Sequence, residues 1–224
     1  VTAEQPFHDP LPVLYMPSLK KGRESAMTDL SPEALSENEK TVLLTLASLP
    51  PEYATDRIYF EKALFLLTRS GVDELDVLAD SFEAYDRGPY SPLADDTLLR
   101  LGDLKLLRKG TMSITPDGTK LARDLLGDPG FKRVVEASTS MWSVLRAQRF
   151  SRRDLLYLVY SLYPDYAKAS KMKPDEVASD RMEHFTIREA DVPDGNYAVF
   201  QSDKGNSVKV AKKDGRLVMS PVAP

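Results

Sequence analysis

Few residues in this chain are equipped for chemistry. It has two histidines and no cysteine. His8 lies among prolines, and His184 sits in "DRMEHF" beside Asp180 and Glu183. A metal centre needs several imidazoles, carboxylates or thiolates to converge. A lone histidine among acids reads as a surface residue, so neither a metal nor another cofactor is expected. Asp95 and Asp96 are an acidic pair, but successive residues on a helix point about 100° apart. They do not naturally share a proton or an ion. They read instead as acids favouring the N-terminal end of a helix dipole. No nucleophile elbow, phosphate-binding loop or dinucleotide fingerprint occurs. The expectation is a protein that is not an enzyme.

Two other groupings suggest binding. The first is "EAYDRGPYSPLADD", residues 83–96. Tyr85, Arg87 and Tyr90 flank Gly88-Pro89, and tyrosine with arginine often anchors protein interfaces. The same residues also read structurally: Gly88 supplies a positive φ and Pro89 a rigid corner, with both tyrosines packed inward. The second grouping is basic. Lys105, Arg108 and Lys109 lie on the strand of an expected wing, and Arg146, Arg149, Arg152 and Arg153 around a helix junction; such clusters also read as solvated surface or helix-end charges. With Arg100, the first cluster could meet phosphates. The helix that would read DNA also carries Asp95, Asp96 and Asp103, which oppose that use.

The elements that must position these residues are mostly helical. Ser36 and Glu39 form a capping box before Val42, Leu43, Leu46 and Leu49 at helical spacing. "DRIYFEKALFLLTRSG" is apolar around most of its circumference and reads as a central, buried helix ending at Ser70-Gly71. A helical turn and a short strand near Phe82–Tyr85 come next. Ser91-Pro92 then caps a third helix with Leu98, Leu101 and Leu104 on one face. A strand from Leu104 to Arg108, a turn at Lys109-Gly110 and a return strand at Ser113–Thr115 precede a helix capped by Thr115-Pro116. Its inner face is Leu121, Ala122, Leu125 and Leu126. That order suggests a winged-helix core. The gap from Ser70 to Ser91 is much longer than the roughly three or four residues of a DNA-reading helix-turn-helix.

A long helix follows over about 131–148. Another, capped by Ser151, has two apolar faces and stops at Pro164. Beyond residue 187 the chain turns β-rich. Lys204-Gly205-Asn206 and Asp214-Gly215 separate three short strands. The expected fold is thus mainly α (α+β): a winged-helix-like helical core with a small C-terminal antiparallel β meander. The expected domains are an arm at 1–30, disordered or loosely docked, a helical domain at 31–186, and the meander and tail at 187–224. The arm carries four prolines in residues 1–26 and no period. Met27 is a possible translation start, because the codons for Lys21 to Glu24 can be purine-rich, like a ribosome-binding sequence.

Composition fits a folded chain of 224 residues, with 42% apolar residues and a net charge of −4. A mild acidic excess argues against a protein coated in nucleic acid or held on an anionic membrane. No apolar run approaches the ~18 residues of a spanning helix, and no signal-peptide pattern is read. A cytoplasmic location is the expectation.

Two motifs resemble a known family. "YDRGPYSP" at 85–92 is similar to the Tyr-x-x-Gly-Pro-Tyr-Ser motif of the YwgA-like proteins and of the related Panacea (SocA-like, phage-associated) antitoxin domains. "LLYLVYSLYPDYAKASKM" at 155–172 resembles their second signature, Val-Tyr-x-x-Tyr-Pro-x-Tyr followed by a serine. Order and spacing also fit, over about residues 38–172. Tyr90-Ser91 after Gly-Pro looks closer to the YwgA-like members. The resemblance implies a helical winged-helix-like domain without catalytic residues and a protein partner, with a toxin as one candidate. Panacea domains neutralise toxins by direct contact, and SocA acts as an adaptor to a protease. The expected site is one cluster of Tyr85, Arg87, Gly88, Pro89, Tyr90 and Ser91 with Tyr160, Tyr163, Pro164 and Tyr166. In it, the later tyrosines pack against Tyr85 and Tyr90. The alternative function is a DNA-binding regulator using Arg100, Lys105, Arg108 and Lys109.

Overall fold

In a computed structural model, the structure describes residues 30–147, 149–172, 197–201, 207–213 and 216–221. The expected N-terminal arm apart from Leu30, both histidines, and the turns expected at 204–206 and 214–215 lie outside the described residues. What is described is mainly helical.

The first helix, α1 (Glu37–Ala47), starts where the capping box places it. The Ser36 amide donates to Glu39 Oε2 at 2.7 Å, and the Glu39 amide donates to Ser36 Oγ at 3.3 Å. Its residues from Thr41 to Ala47 are all buried, because α1 packs against four helices introduced below. Helix α2 (Arg57–Leu67) is capped by Asp56 and is buried on nearly every side. That matches the apolar circumference read from the sequence, but the buried set also includes Lys62.

The segment from α2 to the next long helix is a compact insert. A 3-10 turn at Asp73–Leu75 runs into the short α3 (Asp76–Ala79). Strands β1 (Glu83–Tyr85) and β2 (Gly88–Tyr90) then form an antiparallel hairpin, with Glu83 opposite Tyr90 and Tyr85 opposite Gly88. The Gly-Pro-Tyr motif is therefore itself a strand. Helix α4 (Pro92–Asp103) follows, with Ser91 as its cap and Pro92 at its first position, as the sequence indicates.

The strand pair expected at 104–108 and 113–115 shrinks to an isolated bridge between Leu107 and Ile114. The Thr115 amide donates to Leu106 O, and the Arg108 amide donates to Ser113 O. Two things stop the ladder from growing. Lys105, at φ 60°, is the left-handed residue that closes α4, so no strand exists on that side. On the other side the Met112 amide bonds the carbonyl of Ala54 at 2.8 Å, away from the pair. Helix α5 (Pro116–Leu125) is capped by Thr115, as expected. Gly118 sits in its first turn because a Cβ there would lie 2.4 Å from the carbonyl oxygen of Leu106.

Helices α6 (Pro129–Ala147) and α7 (Arg152–Leu162) complete the bundle. Helix α1 contacts α4, α5 and α6, while α2 lies against α7 and α6. The shared core is aliphatic around Leu43, Leu64 and Leu101, with Phe60 and Trp142 stacked at 6.3 Å. Three further strands, β3 (Tyr197–Gln201), β4 (Ser207–Lys213) and β5 (Arg216–Pro221), pair antiparallel in sequence order as a meander.

Candidate functional site

The two motifs singled out in the sequence meet at the β1–β2 hairpin. Gly88, at φ +87°, is pressed onto α7. A Cβ on it would lie 2.7 Å from Leu156 Cδ1 and 3.2 Å from Tyr160 Cε1. Glycine is needed there for both backbone angle and space. The next residue, Pro89, turns its carbonyl towards α2, where the Lys62 ammonium donates to it at 2.5 Å. Lys62 is only 1% exposed. Glu61 Oε2 lies 3.3 Å from the same ammonium. Burial pushes the Lys62 pKa down, Glu61 works against the shift, and the Arg87 charge adds to it.

A second clasp holds the hairpin turn. The carbonyl of Asp86 accepts from the Lys171 amide at 2.9 Å and from Ser170 Oγ at 3.1 Å. Tyr160 donates its hydroxyl to Ser170 Oγ, and the Met172 amide donates to that oxygen at 3.0 Å. Lys171 also pairs with the Asp86 carboxylate, which raises the lysine pKa. The serine after the Tyr-Pro-x-Tyr segment is thus a strut between α7 and the hairpin. Burial raises the pKa of Tyr160.

The remaining motif tyrosines take different places from those expected. Tyr163 and Tyr166 pack edge-on against Phe65 of α2, at 5.0 and 4.7 Å between centroids. Phe65 therefore takes the place against them that Tyr85 and Tyr90 were expected to fill. The Tyr166 hydroxyl donates to Phe82 O at 3.3 Å and accepts from Arg69 at 3.4 Å. Arg69 lies over the rings of Phe65 and Tyr163. Pro164 opens the 3-10 turn Pro164–Ala167 that carries Tyr166.

Tyr85 and Tyr90 instead pack on each other at 5.2 Å. Tyr85 is 53% exposed and Arg87 is exposed beside it. The Tyr90 hydroxyl donates to Asp95 Oδ2 at 3.1 Å, and Asp95 also pairs with Arg57. The first acid of the Asp95-Asp96 pair is thus a hairpin anchor as well as a first-turn acid. Ser91 Oγ accepts from the Ala94 amide at 2.9 Å and lies 2.7 Å from Ser81 Oγ.

The basic residues lie elsewhere. Arg100 pairs with Glu39 at 3.5 Å. Lys105, Arg108 and Lys109 rim an open groove of about 890 Å3 between α4 and the 105–115 turn. In the other basic cluster, Arg146 and Arg152 pair with Glu52 and Asp56. Among the described residues, no group of three or more His, Cys, Asp and Glu side chains is placed to hold a metal ion. No described helix is long and apolar enough to cross a membrane.

Lys62, Asp86, Ser170 and Lys171 were not among the site residues expected from sequence. Lys62 had a legible signal: a lysine inside "FEKALFLL" has no polar face to occupy. Asp86 and Lys171 had none, because their pairing depends on how α7 ends. A scan against protein-family models finds no match, and searches of curated proteins and of solved structures find none either.

Proposed function

We propose that the chain is a non-enzymatic, protein-binding regulatory module, antitoxin-like or adaptor-like, whose contact surface is the outer face of the β1–β2 hairpin. One observation carries this reading: a short hairpin is fixed from below by a buried lysine and a Tyr160–Ser170–Asp86 strut, while Tyr85 and Arg87 stay exposed on it. A rigid mount lowers the ordering cost of binding, and an aromatic beside arginine is a common anchor pair. The resemblance of both motifs to YwgA-like and Panacea domains supports the same class, with a toxin as one candidate partner and the cytoplasm as the setting. The order α1, α2, α4, bridged turn and α5 fits a winged-helix-like core whose wing is reduced to one bridge.

A DNA-binding regulator is the second reading. It rests on Lys105, Arg108 and Lys109 at the turn after α4. The acids Asp95, Asp96 and Asp103 on α4 count against it. Tagged protein purified from its native cells, with and without nuclease, separates the two. A stoichiometric protein that survives nuclease is the expected result. Nucleic acid alone, released at moderate salt, would overturn the protein-binding reading.

A further inference from the structure

We infer that the groove between the C-terminal half of α4 and the 105–115 turn binds an acidic peptide segment carrying one large apolar side chain. The inference goes beyond the hairpin reading and stands without it.

The groove has a charged rim and an apolar interior. Lys105, Arg108, Lys109 and Arg57 supply the cations, and Asp103 is the one acid among the lining residues. Of these, Arg57 is already paired with Asp95, just as Arg100 pairs with Glu39, Arg133 with Glu74 and Arg152 with Asp56. Lys105, Arg108 and Lys109 have no carboxylate partner among the described residues. Their charges thus face no described carboxylate. The interior is formed by Leu98, Leu107 and Met112, and Leu99, 61% exposed, stands at its edge. An apolar floor beside cations without a described carboxylate partner complements a ligand that is both acidic and apolar.

The shape agrees. At about 890 Å3 and open to solvent, the groove has room for one large side chain and the residues flanking it in an extended peptide. Nucleic acid suits the groove less well. Its lining includes no aromatic ring on which a base could stack. Asp103 at the rim and Asp96, exposed on the same helix, repel phosphates.

Lys105 adds a second line. The Leu106 amide bonds Leu101 O and the Lys105 amide bonds Gly102 O, so Lys105 fills the position where helices commonly place glycine. A lysine at φ 60° is strained there. A strained non-glycine residue at this position supports a use for its side chain.

The test is selection from a random library of roughly twelve-residue displayed peptides, counter-selected on the Arg108→Glu/Lys109→Glu protein. Enriched peptides should carry two or more Asp or Glu close to a Leu, Met or Phe. Their affinity should fall at least about tenfold in that variant and in Leu99→Ser, and should weaken with salt. Lys105→Gly should bind more weakly while unfolding no earlier, which a purely structural residue would not do. Tyr85→Ala/Arg87→Ala should bind as wild type does, so the hairpin reading and this one fail separately. Failure to enrich any peptide, enriched peptides without acids, or affinities that ignore the groove variants would overturn the inference. So would a DNA duplex that binds at moderate salt and is lost in the same variants.

Discussion

The β1–β2 hairpin and the α4 groove lie on either side of Arg57, which pairs with the hairpin's anchor Asp95 and also lines the groove. They treat polar groups in opposite ways. At the hairpin, inward-facing groups are matched: Pro89 O by Lys62, Asp86 O by Ser170 and Lys171, and the Tyr90 hydroxyl by Asp95. At the groove, three cations and an exposed leucine have no described partner. The first arrangement fixes a backbone in place. The second leaves a surface whose electrostatics are incomplete. A buried, satisfied network is costly to break, whereas an open charged rim is cheap to change.

That contrast is best broken at Lys62. Lys62→Ala would leave Pro89 O without its partner and Glu61 with Arg57 alone, and would open a cavity in the core. Urea unfolding should show a loss of about 3 kcal/mol. Gly88→Ala comes next, because it forces φ +87° on an alanine and drives a Cβ onto Leu156 and Tyr160. A loss of about 2 kcal/mol is expected, from strain and overpacking together. Ser170→Ala removes one strut and should cost about 1 kcal/mol. In the groove, Lys105→Gly should leave stability unchanged or raise it, by no more than about 1 kcal/mol.

Alkaline pH sharpens the comparison within the hairpin mount itself. Lys62 has a lowered folded-state pKa, so between that value and its ordinary 10.5 the unfolded chain binds more protons. Its contribution makes stability rise with pH across that window. Lys171 has a raised pKa, so its contribution is present below its ordinary 10.5 and lost as pH climbs through the folded value. Stability-against-pH curves of wild type minus Lys62→Met and wild type minus Lys171→Met should slope in opposite directions. Parallel curves would mean the two lysines are not held as described.

Much of this fold was legible because its helices begin with local chemistry. Ser36, Ser91, Thr115 and Ser151 each cap the helix their sequence context announces. A cap needs only residues within one turn, so sequence suffices. The wing was overread because its fate depends on distant atoms: Met112 bonds Ala54 of another segment. The candidate site was half legible. The two motifs do meet, but through Gly88 on Tyr160 and Ser170 on Asp86, with Tyr163 and Tyr166 turned to Phe65. Tyrosines at helical spacing reveal a shared face, not which aromatic will cover it.

The central claim is that the hairpin is a fixed mount for an exposed contact surface. It is tested most directly by measuring partner recovery and unfolding midpoint on the same preparations of wild type and Tyr85→Ala/Arg87→Ala. The account predicts that the nuclease-resistant protein partner is lost while the midpoint stays within about 0.5 kcal/mol of wild type. Full partner recovery, or a loss that merely tracks unfolding, would contradict it.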